Sequence, residues 1–133
     1  MKKLKLTFLL TIPLFVFSCT GLDKDDAIGM YVAKNNINTI DTVWVNADGS
    51  YINIMYRKSD NSLIYRNVST WEFSDGYIIF NDLYTDYDDK HSKTKSGYED
   101  VLMTTMLPLE KSLGKIIIRH NPTTESKFLE KIE

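Results

Sequence analysis

Few side chains in the 133-residue sequence are suited to catalysis. There is one cysteine, Cys19, and there are two histidines, His91 and His120. An enzyme needs a nucleophile, an acid–base pair or a metal held in a protected geometry. Neither histidine lies in a metal-ligand spacing such as HExxH, and the sequence contains no GxSxG motif and no glycine-rich phosphate loop. The sequence therefore predicts two solvated histidines, no catalytic residue, no metal, no cofactor and no enzyme activity.

The carboxylates that could bind a cation are concentrated in the stretch 82–100, which shows no clear periodicity and is longer than most loops. Calcium prefers several oxygen ligands, but the glycine and the final glutamate of an EF-hand are missing, and lysines interleave with the acids. We expect a solvated loop of mixed charge that is able to contact a partner. Its candidate partner-binding residues are Asp86, Asp88, Asp89, Glu99 and Asp100.

A third group of side chains is aromatic and lies in short β-rich runs. Such residues pack readily in a core and in cross-strand pairs. They also line the mouths of β-barrels, where they stack on small ligands. An eight-stranded barrel is near the size at which the interior either fills with side chains or admits one small ligand, and the short chain favours the filled form. The candidate ligand-binding residues are Trp44, Tyr51, Tyr56, Tyr65, Trp71 and Tyr77.

From Ile28 onward, runs rich in Val, Ile, Tyr, Phe and Thr recur between turn signals at spacings near ten residues. This pattern is typical of an all-β sandwich or barrel. Tight hairpins are predicted at Asp48-Gly49 and Asp75-Gly76, because both residue types tolerate the positive φ of the turn. We expect about eight antiparallel strands in an up-and-down barrel, with a two-sheet sandwich as the alternative. Pro108 is expected to mark a strand end or an edge.

The first 19 residues resemble a bacterial lipoprotein signal. Three lysines are followed by the uncharged run 6–17, which is too short to span a bilayer and is interrupted by Pro13. Ser18-Cys19 behind this run resembles a lipobox, in the looser form found in Bacteroidetes. The resemblance implies that residues 1–18 are a signal peptide and that Cys19 is acylated. The alternative is a free thiol near an ordinary cleavage site.

This resemblance implies a location in the bacterial cell envelope, on either the outer or the inner membrane, with the membrane contacted through the lipid. Residues 19–27 are then expected to form a lipidated N-terminus and tether, and residues 28–133 a β domain. Acids outnumber bases in the chain, and the excess grows when the basic leader is removed. This charge argues against nucleic acid as a partner.

The order of motifs in the β domain is similar to that of small lipocalin-like lipoprotein domains. These open with a Gly-x-Trp or Gly-x-Tyr strand, here Gly29-Met30-Tyr31, and continue with an apolar strand ending in Asp-Gly, here 43–49. A tryptophan strand before another glycine turn follows, here 71–76. The resemblance implies a non-catalytic binding module for a small ligand. The alternative is a protein-interaction, inhibitor or immunity-type role, with an envelope protein as partner of the acidic loop.

Overall fold

The chain forms a closed barrel of eight antiparallel strands, in which each strand pairs with the next and β8 pairs with β1. The structure is a computed structural model and describes residues 21–83, 103–120 and 127–133. The predicted up-and-down barrel is confirmed, and the sandwich alternative was wrong. The elements are α1 Lys24–Ala27, β1 Gly29–Lys34, β2 Thr39–Val45, β3 Ser50–Arg57, β4 Leu63–Ser74, β5 Tyr77–Leu83, β6 Met103–Ser112, β7 Lys115–Arg119 and β8 Phe128–Lys131.

Alternate residues along each strand point into the barrel and out of it, as the pleat of a strand requires. In β3, Tyr51, Asn53 and Met55 are buried, whereas Ile52 and Ile54 between them are only partly covered. The largest group of inward side chains forms one apolar core, which excludes water and stabilises the fold. Its members include Tyr31, Val43, Val45, Trp71, Ile78, Phe80, Leu107, Leu109, Ile118 and Leu129.

Three tight turns connect strands at one end of the barrel, which we call the closed end. Both predicted Asp-Gly hairpins form there, and the second has φ of 51° at Asp75 and 81° at Gly76. The third turn is Leu113-Gly114, also with positive φ at both residues. The opposite end, where β1 and β3 finish and β2 and β4 begin, is called the loop end below.

Helix α1 covers the closed end. Asp23 begins the helix with a capping box, in which its side chain accepts hydrogen bonds from two backbone N–H groups and the Asp26 side chain bonds back to Asp23 N. Ala27 is fully buried, and the Tyr31 hydroxyl donates a 2.8 Å hydrogen bond to its carbonyl. Lys24 Nζ lies 5.6 Å from the centre of the Trp71 ring, which adds a cation–π contact. The helix is therefore part of the packed domain.

The described part of the predicted tether at residues 19–27 contacts the β domain predicted at 28–133. Ala27 belongs to the packed core, and the partly buried Leu22 packs against it. The polar and acidic composition of the segment suggested a solvated linker. Its acids instead cap a single helical turn, whose one buried face is too short to give a periodic signal.

Two strands, β4 and β6, have features that depend on their partners. β4 runs without a break from Leu63 to Ser74 and pairs with β3 as far as Thr70 and with β5 from Trp71. Pro108 does not end β6, which continues to Ser112, but the pairing between β6 and β7 starts only at Leu109. Proline has no N–H to donate to a neighbouring strand, which explains why that ladder stops there.

Among the described residues, the backbone pairing on both sides of the β5–β6 pair stops before the loop end. Between β4 and β5 it stops at Trp71 and Phe80, and between β6 and β7 it stops at Leu109 and Ile118. We call the first gap, between β4 and β5, the β4–β5 seam. No helix within the described ranges is long and apolar enough to cross a membrane.

Candidate functional site

Polar side chains join the apolar ones on the inward face of β2, β3 and β4 toward the loop end. Four inward side chains of β2, β3 and β4 form what we call the polar interior cluster: Asp41, Asn53, Tyr65 and Asn67. Asn53 and Asn67 are direct cross-strand partners, and Met55 lies between Asp41 and Tyr65 in the register. Buried polar groups are costly unless they are hydrogen-bonded, so each one needs an account of its partners.

The contact between Asp41 and Asn53 is the centre of this cluster. Asp41 is almost completely buried, and Asn53 is completely buried. Asn53 Nδ2 donates to Asp41 Oδ1 at 2.5 Å and to the Thr42 carbonyl at 3.3 Å. Both acceptors are oxygens, so they fix the orientation of the amide: the reversed orientation would place its oxygen against a carboxylate and a carbonyl.

The other side of the amide carries the unusual feature of the site. Asn53 Oδ1 is buried and has no hydrogen-bond partner in the described part of the chain. Leaving a buried acceptor without a donor costs about 1–3 kcal/mol. Such an atom is uncommon in a native core, and it shows that a hydrogen-bond donor would be accommodated at this position of the cluster.

Side chains close the β4–β5 seam where backbone pairing has stopped. The Tyr51 hydroxyl donates to the Asn81 carbonyl at 2.5 Å. Asn67 Nδ2 donates to the Asp82 carbonyl at 2.8 Å, and Ser69 Oγ donates to Asp82 Oδ2 at 3.2 Å. Asp82 itself has a φ of 55° at an irregularity in the register of β5 and β6. The wall of the barrel beside the cluster is therefore held by side chains instead of a regular ladder.

Both tyrosines at this end remain protonated at neutral pH. Burial, followed by the charges of Asp82 and Asp41, raises the pKa of Tyr65 to about 12. Burial is also the largest cause of the raised pKa of Tyr51, with the nearby Tyr65 as the next cause. The hydroxyl groups can thus donate or accept hydrogen bonds but do not act as bases.

His120 differs from its predicted solvated state. Its Nε2 atom is buried, two residues after the buried Ile118 of β7. Burial, followed by the positive charge of Lys127, lowers the pKa of His120 to about 4, so the ring is neutral at neutral pH. The prediction was wrong because a residue at a strand end beside a polar turn was expected to be exposed. His91 lies outside the described residues.

The six aromatic candidates do not form one site. Tyr65 belongs to the polar interior cluster, and Tyr51 lies beside it in the interior, with its hydroxyl 3.4 Å from Asn67 Nδ2. Trp71 is buried at the closed end, where its Nε1 donates to the Asn46 carbonyl at 2.8 Å. The other three lie on the outer surface: Trp44 is partly covered, and Tyr56 and Tyr77 are exposed.

The remaining candidates fall outside the part of the chain that the structure describes. These are the lipidation candidate Cys19 and the acidic partner-loop candidates Asp86, Asp88, Asp89, Glu99 and Asp100. Within residues 21–83, 103–120 and 127–133, no three His, Cys, Asp or Glu side chains are grouped so that they could hold a metal ion.

The sequence contained a usable signal for two residues that were not predicted. Asp41 alternates with Val43 and Val45, so it shares their buried face, and Asn53 alternates in the same way with Tyr51 and Met55. A polar residue on the buried face of a strand is the pattern that identifies an interior polar site. The seam bonds of Asn67 and Asp82 depend on three-dimensional register and left no comparable signal.

No protein-family model matches this chain, and no curated protein or solved structure matches it either.

Proposed function

We propose that the protein is a lipid-anchored envelope protein whose barrel binds a small ligand, without catalysis, at the polar interior cluster. The buried and unpartnered Asn53 Oδ1 is the observation that carries this proposal. Ligand sites in proteins combine apolar walls with a few well-placed polar groups. Here the polar groups lie toward the loop end and adjoin the apolar core. A purely structural core would be more stable if it did not contain a buried acceptor that lacks a hydrogen-bond donor.

Thermal-shift screening of the full chain in detergent tests the binding function. A panel of cationic, neutral and anionic metabolites should contain compounds that raise the melting temperature, since a ligand that binds only the folded state stabilises it. Lys115→Gln, an exposed change at the closed end, should respond to the same compounds to the same extent. If no compound in the panel changes the melting temperature, the proposed function is contradicted.

The anchor is proposed on the lipobox resemblance alone. Stable membrane attachment needs about two acyl chains, which acylation of Cys19 would supply. Cys19→Ser should therefore move the protein from the membrane fraction to the soluble fraction of a bacterial host, as measured by immunoblotting after fractionation. Ser18→Ala serves as the control, because it keeps a small residue before the cysteine. Retention of the Cys19→Ser protein in membranes would contradict the anchor.

A protein-interaction role is the second candidate, and one feature of the outer surface favours it. Ile40, Tyr56 and Leu63 are neighbours in the register across β2, β3 and β4, and each is 39% to 49% exposed. Contiguous exposed apolar residues are typical of contact surfaces. The acidic loop as a contact surface stays a prediction.

Crosslinking in whole cells tests this second role. Tyr56→Lys should abolish a specific crosslinked species if the apolar row contacts an envelope protein. Thr70→Lys, an exposed change elsewhere on β4, should leave that species unchanged. An identical crosslinking pattern for the wild type and Tyr56→Lys counts against the interaction.

A further inference from the structure

We infer that the outer face of the barrel beside the closed end lies against the lipid bilayer. The contact is made by four apolar residues, which we call the closed-end row: Met30, Trp44, Ile52 and Val68. This inference rests on the proposed lipid anchor and adds a second membrane contact, made by the folded domain itself. It follows from the continuity of the row, from its position near the start of the domain, and from the side chains at its borders.

The closed-end row is continuous across four neighbouring strands. Met30 is the cross-strand partner of Trp44, Trp44 of Ile52, and Ile52 of Val68. Direct partners lie on the same face of a sheet, and this face is the outer one, because Tyr51 beside Ile52 is buried inside the barrel. The first three members are partly exposed, and Val68 is 53% exposed. Contiguous exposed apolar side chains are typical of contact surfaces, including those that face a membrane.

The row begins close to the proposed point of attachment. Eleven positions separate Cys19 from Met30, and four of the residues between them form α1 at the closed end. A helix advances only about 1.5 Å per residue, so acyl chains on Cys19 would hold the bilayer near the row. Ile40, in the exposed row proposed for protein contact, lies four residues beyond Trp44 toward the loop end, about 13 Å away. The anchor therefore favours the closed-end row as the membrane contact.

The composition of the row suits the boundary between lipid and water. Tryptophan combines a large apolar ring with an N–H group and is enriched at this boundary. Beside the row lies a depression of about 300 Å³, whose lining includes Ile28, Met30 and Trp44. It gives the upper part of a lipid chain room to pack against the barrel.

Charged side chains border the row in an arrangement that suits a zwitterionic headgroup. The exposed Arg66 lies two positions from Val68 on the same outer face, and Asp48 is exposed in the turn that joins β2 and β3 at the closed end. A phosphatidylcholine or phosphatidylethanolamine headgroup offers its phosphate to the guanidinium and its ammonium group to the carboxylate. Because charges of both signs border the row, the contact should need no anionic lipid.

Fluorescence quenching by brominated lipid tests the contact. The acylated full chain is reconstituted into phosphatidylcholine vesicles, with or without bromine on the acyl chains just below the headgroup. Bromine quenches a tryptophan only at contact distance, and of the two tryptophans Trp71 is buried inside the barrel. The brominated vesicles should therefore lower the emission of Trp44, whereas Trp44→Phe should lose this quenching. Equal emission of the wild type in both kinds of vesicle would overturn the contact.

A second position reports the contact without changing a tryptophan. Cys19 is the only cysteine in the chain, so a cysteine introduced into the acylated protein can be labelled alone with a polarity-sensitive fluorophore. Val68→Cys places the label in the closed-end row. Met106→Cys is the matched control, because Met106 is 58% exposed and lies on β6, which pairs only with β5 and β7.

In vesicles, the emission of the label at Val68 should shift to shorter wavelength, relative to the same label in the soluble Cys19→Ser protein. The label at Met106 should show no such shift. Equal shifts at the two positions would overturn the contact, because no face of the barrel would then be preferred.

The outcomes separate this inference from the proposed anchor. A wild-type protein that floats with the vesicles but shows neither quenching nor a shift keeps its anchor and overturns the contact. A wild-type protein that does not float with the vesicles overturns the anchor and the contact together. A shift at Val68 without bromine quenching, accompanied by crosslinking between copies, would identify the row as an interface between copies and would also overturn the contact.

Discussion

His120 is partly covered and has a buried Nε2 atom, and it shows how a single residue can link stability to pH. Its pKa is about 4 in the folded protein and 6.5 for an exposed histidine, so the unfolded chain binds the proton first as pH falls. The contribution of neutral His120 to the stability of the fold is therefore fully present above pH 6.5 and is lost progressively between pH 6.5 and 4. A pKa shift of this size corresponds to about 3 kcal/mol of the free energy of unfolding.

The prediction for His120 is that His120→Gln flattens this part of the pH dependence. Glutamine is close in size and does not titrate, so the free energy of unfolding should fall less between pH 6.5 and 4 than it does in the wild type. Urea denaturation at a series of pH values measures the difference. The carboxylates titrate in both proteins, so their contribution to the pH dependence cancels when the two curves are compared. Parallel curves for the two proteins would show that His120 is not buried in its neutral form.

Leu113 is a second residue whose local environment conflicts with its type. It is fully exposed and has a φ of 50°, followed by Gly114 with a φ of 81°. This turn geometry favours Asn-Gly, because asparagine tolerates positive φ better than a bulky apolar residue.

Leu113→Asn should therefore stabilise the protein by about 0.5–1 kcal/mol, measured by thermal or chemical denaturation. Leu113→Ala is the matched control: it also removes the exposed apolar side chain but does not relieve the backbone strain, so its stability should stay near that of the wild type. Equal stabilisation by both changes would attribute the effect to lost apolar surface.

Among the elements, the start of β1 depends on a close backbone approach. Gly29 has a φ of 146°, and a Cβ added there would lie 2.2 Å from the carbonyl oxygen of Glu133. The same oxygen accepts a 3.0 Å hydrogen bond from Met30 N, which helps join the two ends of the domain beside the β1–β8 pair.

Gly29→Ala should destabilise the protein by about 1–3 kcal/mol, because the backbone atom it meets cannot move aside without breaking the hydrogen bond to Met30 N. Gly21→Ala is the control, since nothing lies within 4 Å of a Cβ at that position. The midpoint of urea denaturation measures both. An unchanged midpoint for Gly29→Ala would show that β1 and the C-terminus are not in this contact.

The elements that the sequence predicted well are those set by local chemistry. The two Asp-Gly turns need only neighbouring residues, and both are confirmed. The departures have non-local causes. β4 continues past Thr70 because it changes partner from β3 to β5, and β6 passes through Pro108 because the missing N–H falls where β7 has no paired residue.

For the whole molecule, alternation alone could not identify the interior face of each strand. It separated Tyr51 from Ile52 correctly, but nothing local placed Tyr56 outside and Tyr65 inside. That choice depends on which faces meet when the barrel closes. The hydrogen bond from Tyr51 to Asn81 joins residues 30 positions apart. Contacts of this kind depend on the register of all the intervening strands, which single-residue patterns do not determine.

The docking of α1 also limits how far the barrel can move from its point of attachment. Leu22 packs against the core, and Cys19 lies only three positions before it. A fully extended chain covers at most about 3.6 Å per residue, so the link reaches about 11 Å. If Cys19 carries the proposed acyl chains, the closed end cannot leave the headgroup region, whereas the loop end can extend into the aqueous compartment. A dissolved ligand would then reach the polar interior cluster from the side that faces away from the bilayer.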